Sequence, residues 1–305
     1  MSLKNLKLKY FQLLIVTCFL SACAISPEVK PPIGHEAPPA DQVILPKKPL
    51  KIGLVLGGGA ARGFAHIGVI QVLEEAGIKP NLVVGTSAGS LVAALYASGK
   101  NGAQLQKVAE TMEEATFADW TLPIFSRGLL RGEALARYVS LQVNGRLIES
   151  TPMPLGIVAT DLNSGQGVLF QKGDIATAVR ASSAVPAIFQ PVKISGHEYV
   201  DGGLVSPVPV RYARQMGAEF VIAVDISSLP EGNAANDTLQ VLMQTFTIMI
   251  KSINNFELRE ADLVIRPALA GVGSSDFSAR RRSIEAGRAA MLALLPQLKL
   301  ALHKP

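Results

Sequence analysis

Gly85-Thr86-Ser87-Ala88-Gly89 has the residue types and spacing of a nucleophile turn. A serine with a glycine two residues away on each side suits a sharp strand-to-helix turn. A Cβ at either Gly85 or Gly89 would meet neighbouring backbone there. Leu82-Val83-Val84 before it reads as a buried strand, and Ser90 to Tyr96 after it as a helix. That context exposes the Ser87 hydroxyl at the top of a sheet. It also puts a helix N-terminus behind it, which favours negative charge nearby.

A serine nucleophile needs a proton acceptor, and the chain has only four histidines. His35 lies in a proline-rich segment. His66 falls one turn into the first helix, near the glycine loop, and reads as a packing residue, with contact to the site as the alternative. His197 sits in a hairpin turn and His303 near the chain end. None suits a triad, although a histidine-dependent esterase of the α/β-hydrolase type remains the rival enzyme. Histidine scarcity favours a carboxylate as base. Asp201, at a strand end before Gly202 and Gly203, is the leading candidate; turn capping is its other role. No His/Cys/Asp/Glu cluster has metal-ligand spacing, so no metal is expected.

A second glycine-rich turn, Gly57-Gly58-Gly59-Ala60-Ala61-Arg62-Gly63, follows the apolar run Lys51–Leu56. As a dinucleotide fingerprint it fails. Arg62 occupies the third glycine position, and the Gly85–Gly89 turn falls where a ribose-binding acid should be. As an oxyanion hole it works, because close-packed amides at a helix start can donate to a developing oxyanion. Arg62 either adds charge there or braces the loop through backbone carbonyls.

These turns require a β-α-β unit and hence a parallel sheet. Further helices are read at Gln104–Glu114, Gly132–Val143, Asp174–Ser183, Pro207–Met216 and Arg280–Leu302. Strands are read at Leu155–Asp161, Glu219–Asp225 and Ala261–Ile265, with Gly167–Gln171 antiparallel to the first. Ala184–Val192 is an extended wall. Phe117–Phe125 is an aromatic stretch that packs as core or covers the site. Leu239–Ile253 is a very apolar helix, expected in the core, with an acyl-chain wall or membrane-facing surface as the alternative.

The first 22 residues hold Lys4, Lys7, Lys9, an apolar run and Leu20-Ser21-Ala22, and they read as a signal peptide. Leu20-Ser21-Ala22-Cys23 resembles the bacterial lipobox. The resemblance implies cleavage before Cys23, its acylation and, with Ala24 following, an outer-membrane lipoprotein facing the periplasm. Residues 23–49 carry the lipidated cysteine and a proline-rich tether. Residues 50–305 form the hydrolase domain. Without the leader's three lysines the net charge of +5 falls to +2. No basic stripe with interleaved aromatics is present, so nucleic acid is not an expected partner. The oligomeric state is left open.

Gly58-Gly59-Ala60-Ala61-Arg62-Gly63, the Ser87 turn and Asp201-Gly202-Gly203, in this order and spacing, resemble the patatin-like phospholipase family over roughly residues 50 to 300. The resemblance implies a three-layer α/β/α sandwich around a central mostly parallel sheet. It implies Ser87 as nucleophile, Asp201 as proton acceptor and the amides of Gly58, Gly59 and Ala60 as oxyanion hole. No cofactor is implied, and the expected substrate is a lipid acyl ester at a membrane. An inactive scaffold is the non-enzyme alternative. Two departures stand out. Ala60 replaces a loop glycine, which is tolerable where φ stays negative. Ser206 replaces an asparagine, which is expected to weaken bracing of the Asp201 loop.

Overall fold

The alternation of buried side chains along β1 (Ile52–Leu56) decides the layering. Leu54 and Leu56 point to one side of the sheet and Val55 to the other, all fully buried. A strand apolar on both faces must be covered twice. In this computed structural model, which describes residues 50–113, 118–119, 127–228 and 236–303, it is covered twice.

The chain alternates strand and helix. β1 leads through the glycine turn to α1 (Phe64–Glu75), then β2 (Leu82–Thr86), α2 (Ala88–Ala97) and α3 (Gly102–Glu110). Next come β3 (Gly128–Leu130), α4 (Glu133–Val143), β4 (Leu155–Asp161), β5 (Gly167–Phe170) and α5 (Ile175–Ser182). β6 (Ala187–Phe189), β7 (Val192–Ile194) and β8 (His197–Asp201) precede α6 (Val210–Gln215) and β9 (Phe220–Val224). α7 (Thr238–Glu257), β10 (Leu263–Ile265) and α8 (Arg280–His303) complete it.

The main sheet has the order β10-β9-β1-β2-β4-β8-β7, with β5 on the other edge of β4. β10, β9, β1, β2 and β4 are parallel; β5 and β8 pair antiparallel to β4, and β7 pairs antiparallel to β8. The expected β4–β5 pairing is present in register from Ile157–Phe170 to Thr160–Gly167. α1 to α5 and α8 cover one face around Leu54, Leu56, Val83, Ile157 and Ile222. α6 and Leu258 cover the other around Val55, Val84, Val158 and Val221. The result is the expected three-layer α/β/α sandwich with a mostly parallel sheet.

Local signals explain several helix starts. Asn101 and Gln104 form a reciprocal capping box on α3, and Asp174 and Asp237 cap α5 and α7. α4 starts after Gly132, whose N–H, with that of Ala134, donates to the Asp119 carboxylate. Apart from Ala118 and Asp119, the aromatic stretch Phe117–Phe125 lies outside the described residues. β3 and β6 add a separate two-stranded parallel pair that the sequence did not announce.

One expectation fails clearly. The apolar helix read as core is α7, and Asn254 and Glu257 are its only buried residues. Several of its apolar side chains face outward, Ile248 and Phe256 among them at 53% and 67% exposure.

Candidate active site

Ser87 and Asp201 are 114 positions apart, and strand register brings them together. β2 runs parallel to β4 and ends with Thr86 opposite Val158. β8 runs the other way and ends with Asp201 opposite Ala159. At positions 159–160 the other edge of β4 is occupied by β5. β2 and β8 therefore share one edge of β4 and meet head-on between Val158 and Ala159. Both chains must turn out of the sheet there. One turn presents Ser87, the other Asp201.

The collision is tight, and glycines make it feasible. A Cβ at Gly202 would lie 2.3 Å from the Val158 carbonyl oxygen. A Cβ at Gly89 would lie 2.0 Å from the Leu56 carbonyl oxygen and 2.7 Å from that of Gly57. Gly89→Ala must push α2 away from the β1 end. It is expected to lower stability by about 3 kcal/mol, read as the shift of a urea unfolding midpoint.

Ser87 itself takes φ 52°, ψ −125°, a strained backbone state for a non-glycine residue. Its N–H donates to Ser182 Oγ at 2.9 Å, and Ser182 Oγ donates to the Val158 carbonyl at 2.6 Å. Ser90 Oγ donates to the Ser87 carbonyl at 2.6 Å. Ser182 thus fixes the elbow to β4. It was missed because nothing in its spacing from Ser87 signals the contact.

Asp201 is held as firmly. Its N–H donates to the Ala184 carbonyl at 2.9 Å, and its carbonyl accepts from Thr160 Oγ1 at 2.8 Å. Its Oδ1 accepts from Gly203 N–H at 2.6 Å. Its Oδ2 is buried without a partner of conventional geometry among the described residues. Burial pushes the carboxyl up to about 6, against hydrogen bonds from the Ser87 hydroxyl and Gly203 that pull it down. The Ser87 hydroxyl therefore lies close enough to act on the carboxyl.

The glycine turn lies beside Ser87, with a Cβ built at Gly58 only 3.2 Å from Ser87 Cβ. Its donor set is smaller than expected. Gly58 N–H donates to the Pro207 carbonyl at 2.9 Å, so Gly58 has no amide to offer. The amides of Gly59 and Ala60 have no partner among the described residues. Ala60 has φ 50°, overturning the expectation of a negative value. The left-handed state costs an alanine about 1 kcal/mol relative to glycine. Arg62 is a loop brace: its Nε donates to the Ile226 carbonyl at 2.9 Å. Burial lowers its pKa while Asp225 raises it.

The bracing expected to weaken at Ser206 is supplied differently. Ser206 carbonyl accepts from Thr86 Oγ1 at 2.8 Å, and its N–H donates to the Gly202 carbonyl at 2.9 Å. Its hydroxyl donates to Glu257 Oε1. Burial and Glu260 push Glu257 up to about 7, while Ser206 and Arg211 pull it down. One serine therefore ties both the Ser87 turn and the Asp201 loop to the end of α7. Glu257 could not be found from sequence because it lies 51 residues beyond Ser206.

The described histidines have other partners. His66 is buried and donates from Nε2 to the Gly57 carbonyl at 2.8 Å, which can only accept. Burial lowers its pKa to about 4, so it is neutral and braces the loop. His197 Nδ1 pairs with Asp161 at 2.8 Å at the far end of β8 from Asp201, roughly 13 Å along the strand. His303 Nδ1 bonds the Lys299 carbonyl. Among the described residues no group of three His, Cys, Asp or Glu could hold a metal ion.

A family model for patatin-like phospholipase matches residues 54–214. An uncharacterised NTE family protein of Mycobacterium tuberculosis is 34% identical over 203 residues, covering 66% of this chain and 56% of that protein. Patatin-like phospholipase domain-containing protein 6 of Homo sapiens is 37% identical over 188 residues, 59% of this chain and 14% of that protein. The chain thus spans about half the length of the mycobacterial relative and a small part of the human one. Among solved structures, VipD from Legionella pneumophila superposes with a TM-score of 0.56 at 17% identity, over 82% of this chain and 67% of that one, a likeness of fold. The family match runs from β1 to α6 and takes in the glycine turn, the Ser87 elbow and the Asp201 loop. The chain belongs to the patatin-like phospholipase family.

Proposed function

We propose that the protein is a serine acyl-ester hydrolase of the phospholipase A type that releases fatty acids from membrane lipids through a Ser87–Asp201 dyad. The observation that carries this reading is the head-on meeting of β2 and β8. It sets a strained serine against a buried carboxyl whose Oδ2 has no other partner among the described residues. Ser87 Oγ attacks the ester carbonyl carbon and Asp201 Oδ2 takes its proton. The carbonyl oxygen becomes an oxyanion and accepts from the free amides of Gly59 and Ala60, with the α2 N-terminus adding favourable potential. Protonated Asp201 then returns the proton to the leaving alkoxide. Water attacks the acyl-enzyme by the same route and frees the acid. Membership of the family and the human relative's name support a lipid substrate.

The lipobox at Cys23, its acylation and an outer-membrane location facing the periplasm are part of the same proposal. They rest on residues 1–49, outside the described structure. The decisive experiment incubates the full chain with phosphatidylethanolamine/phosphatidylglycerol vesicles and identifies products by mass spectrometry. Free fatty acid with lysophospholipid is expected from the wild type and neither from Ser87→Ala. Absence of both products in the wild type, together with failure of a fluorophosphonate probe to label Ser87, would instead favour the inactive scaffold.

A further inference from the structure

We infer that the outward face of α7 is a lipid-docking surface that seats the Ser87 edge of the sheet against a bilayer. This rests on the reading of the protein as a lipid hydrolase.

The face is defined by spacing. Val241, Thr245, Ile248, Met249, Ser252 and Phe256 recur at helical intervals, form one stripe, and are all exposed. Val241, Ile248, Met249 and Phe256 are 51%, 53%, 43% and 67% exposed. Across the 20 residues the ionisable side chains are Lys251 and Glu257, and Glu257 is turned inward. A helix face that meets water normally carries charge; this stripe carries none.

The stripe lies beside the catalytic turns because α7 is fastened there. Glu257 accepts from Ser206 Oγ, and Asn254 Nδ2 donates to Ser227 Oγ at 3.4 Å in the loop that holds Arg62. Ile250 Cδ1 lies 3.9 Å from where a Cβ on Gly203 would stand. The inner side of the helix touches the Asp201 loop while the outer side is apolar and open.

A lipid surface fits better than a second protein copy for a reason of geometry. The chain before Leu50 enters at the N-terminal end of β1, whereas Ser87 lies at the C-terminal ends of β1 and β2. A lipid attached at Cys23 would thus pull on the edge of the sheet opposite the site. A proline-rich tether over residues 23–49 would reach roughly 80 Å if extended, so it would let the domain turn over without turning it. A second contact at the site's own edge is needed, and α7 is there. No described helix is long and apolar enough to cross a membrane, so α7 would lie on the bilayer. Lys251, and Arg259 with its guanidinium 5.2 Å from the Phe256 ring centroid, flank the stripe where headgroup phosphates would sit.

The test uses the full chain with Cys23→Ala, so that no acyl group contributes, and vesicles of phosphatidylethanolamine and phosphatidylglycerol. Phe256→Trp provides a local probe, read against the native Trp120 signal. Its emission is expected to shift to the blue on adding vesicles and to be quenched by brominated acyl chains. Ile248→Glu with Met249→Glu is expected to lower fatty-acid release from vesicles by about tenfold or more and leave hydrolysis of a water-soluble short-chain ester unchanged. Equal loss on both substrates would mean that the helix is structural and overturns the inference. So would a probe indifferent to vesicles. A glutamate variant that splits a dimer by light scattering with vesicle hydrolysis unchanged would assign the face to a second copy, and also overturns it. A wild type that cleaves no ester while the Phe256→Trp probe enters vesicles would leave docking standing and sink the hydrolase reading.

Discussion

Ser87→Ala is expected to lower ester hydrolysis by roughly 10⁴-fold or more, because no other group replaces the covalent step. The variant should fold as well as the wild type. The Ser87 backbone bonds, from its N–H to Ser182 and to its carbonyl from Ser90, do not involve the hydroxyl that is removed. Alanine inherits the φ of 52°, so the backbone strain stays as well. Ser87→Gly removes both, and should be as inactive but more stable by about 1 kcal/mol, because glycine takes positive φ without cost. Fatty-acid release and a urea melt on the three proteins check this. An Ala variant within tenfold of wild type would remove Ser87 from the mechanism. A Gly variant less stable than the Ala variant would show that the elbow is not strained.

The local turns are more legible in the sequence than their arrangement. Ser87, Asp201 and the glycine turn each carry local marks: apolar strands before them, glycines at fixed offsets, a helix after the first. Those marks reflect short-range backbone geometry, which is why they can be read in one dimension. The contact between Ser87 and Asp201 reflects the register of β2 and β8 on β4, which no local pattern encodes. For the same reason the donor set was read too broadly. That Gly58 gives its N–H to Pro207 depends on a chain segment 149 residues away. Ser182 and Glu257 were invisible because serine and glutamate at a helix end have many ordinary uses. α7 misled in the opposite way. Its composition is that of a core helix, and hydrophobicity reports what a face prefers to touch, not whether protein or lipid supplies it.

The pH dependence of activity and stability should oppose each other through Asp201. The base must be ionised to accept the Ser87 proton. With its carboxyl pushed up to about 6, kcat/KM is expected to rise about tenfold per pH unit below that value and level off above it. Stability runs the other way. The folded carboxyl at about 6 stands above its ordinary value of 3.8 because burial disfavours the charge. Below 3.8 both folded and unfolded chains hold the proton and this group costs nothing. Between 3.8 and about 6 the unfolded chain releases it first, so stability is lost as pH rises through the folded value. The full loss is about 3 kcal/mol for a shift of roughly two units. Asp201→Asn is permanently uncharged and keeps an oxygen for Gly203 N–H. It should therefore lose activity at every pH yet exceed wild-type stability by about 2 to 3 kcal/mol near pH 8, with the gap closing towards about pH 4. Comparing the two proteins at each pH cancels the titration of Glu257, which burial also raises, to about 7, and which would otherwise add its own slope. A stability gap independent of pH would mean that Asp201 ionises at its ordinary value. Asp201 would then be ionised but without the basicity that burial confers, and the dyad would lose its electrostatic rationale even if Ser87 proved essential.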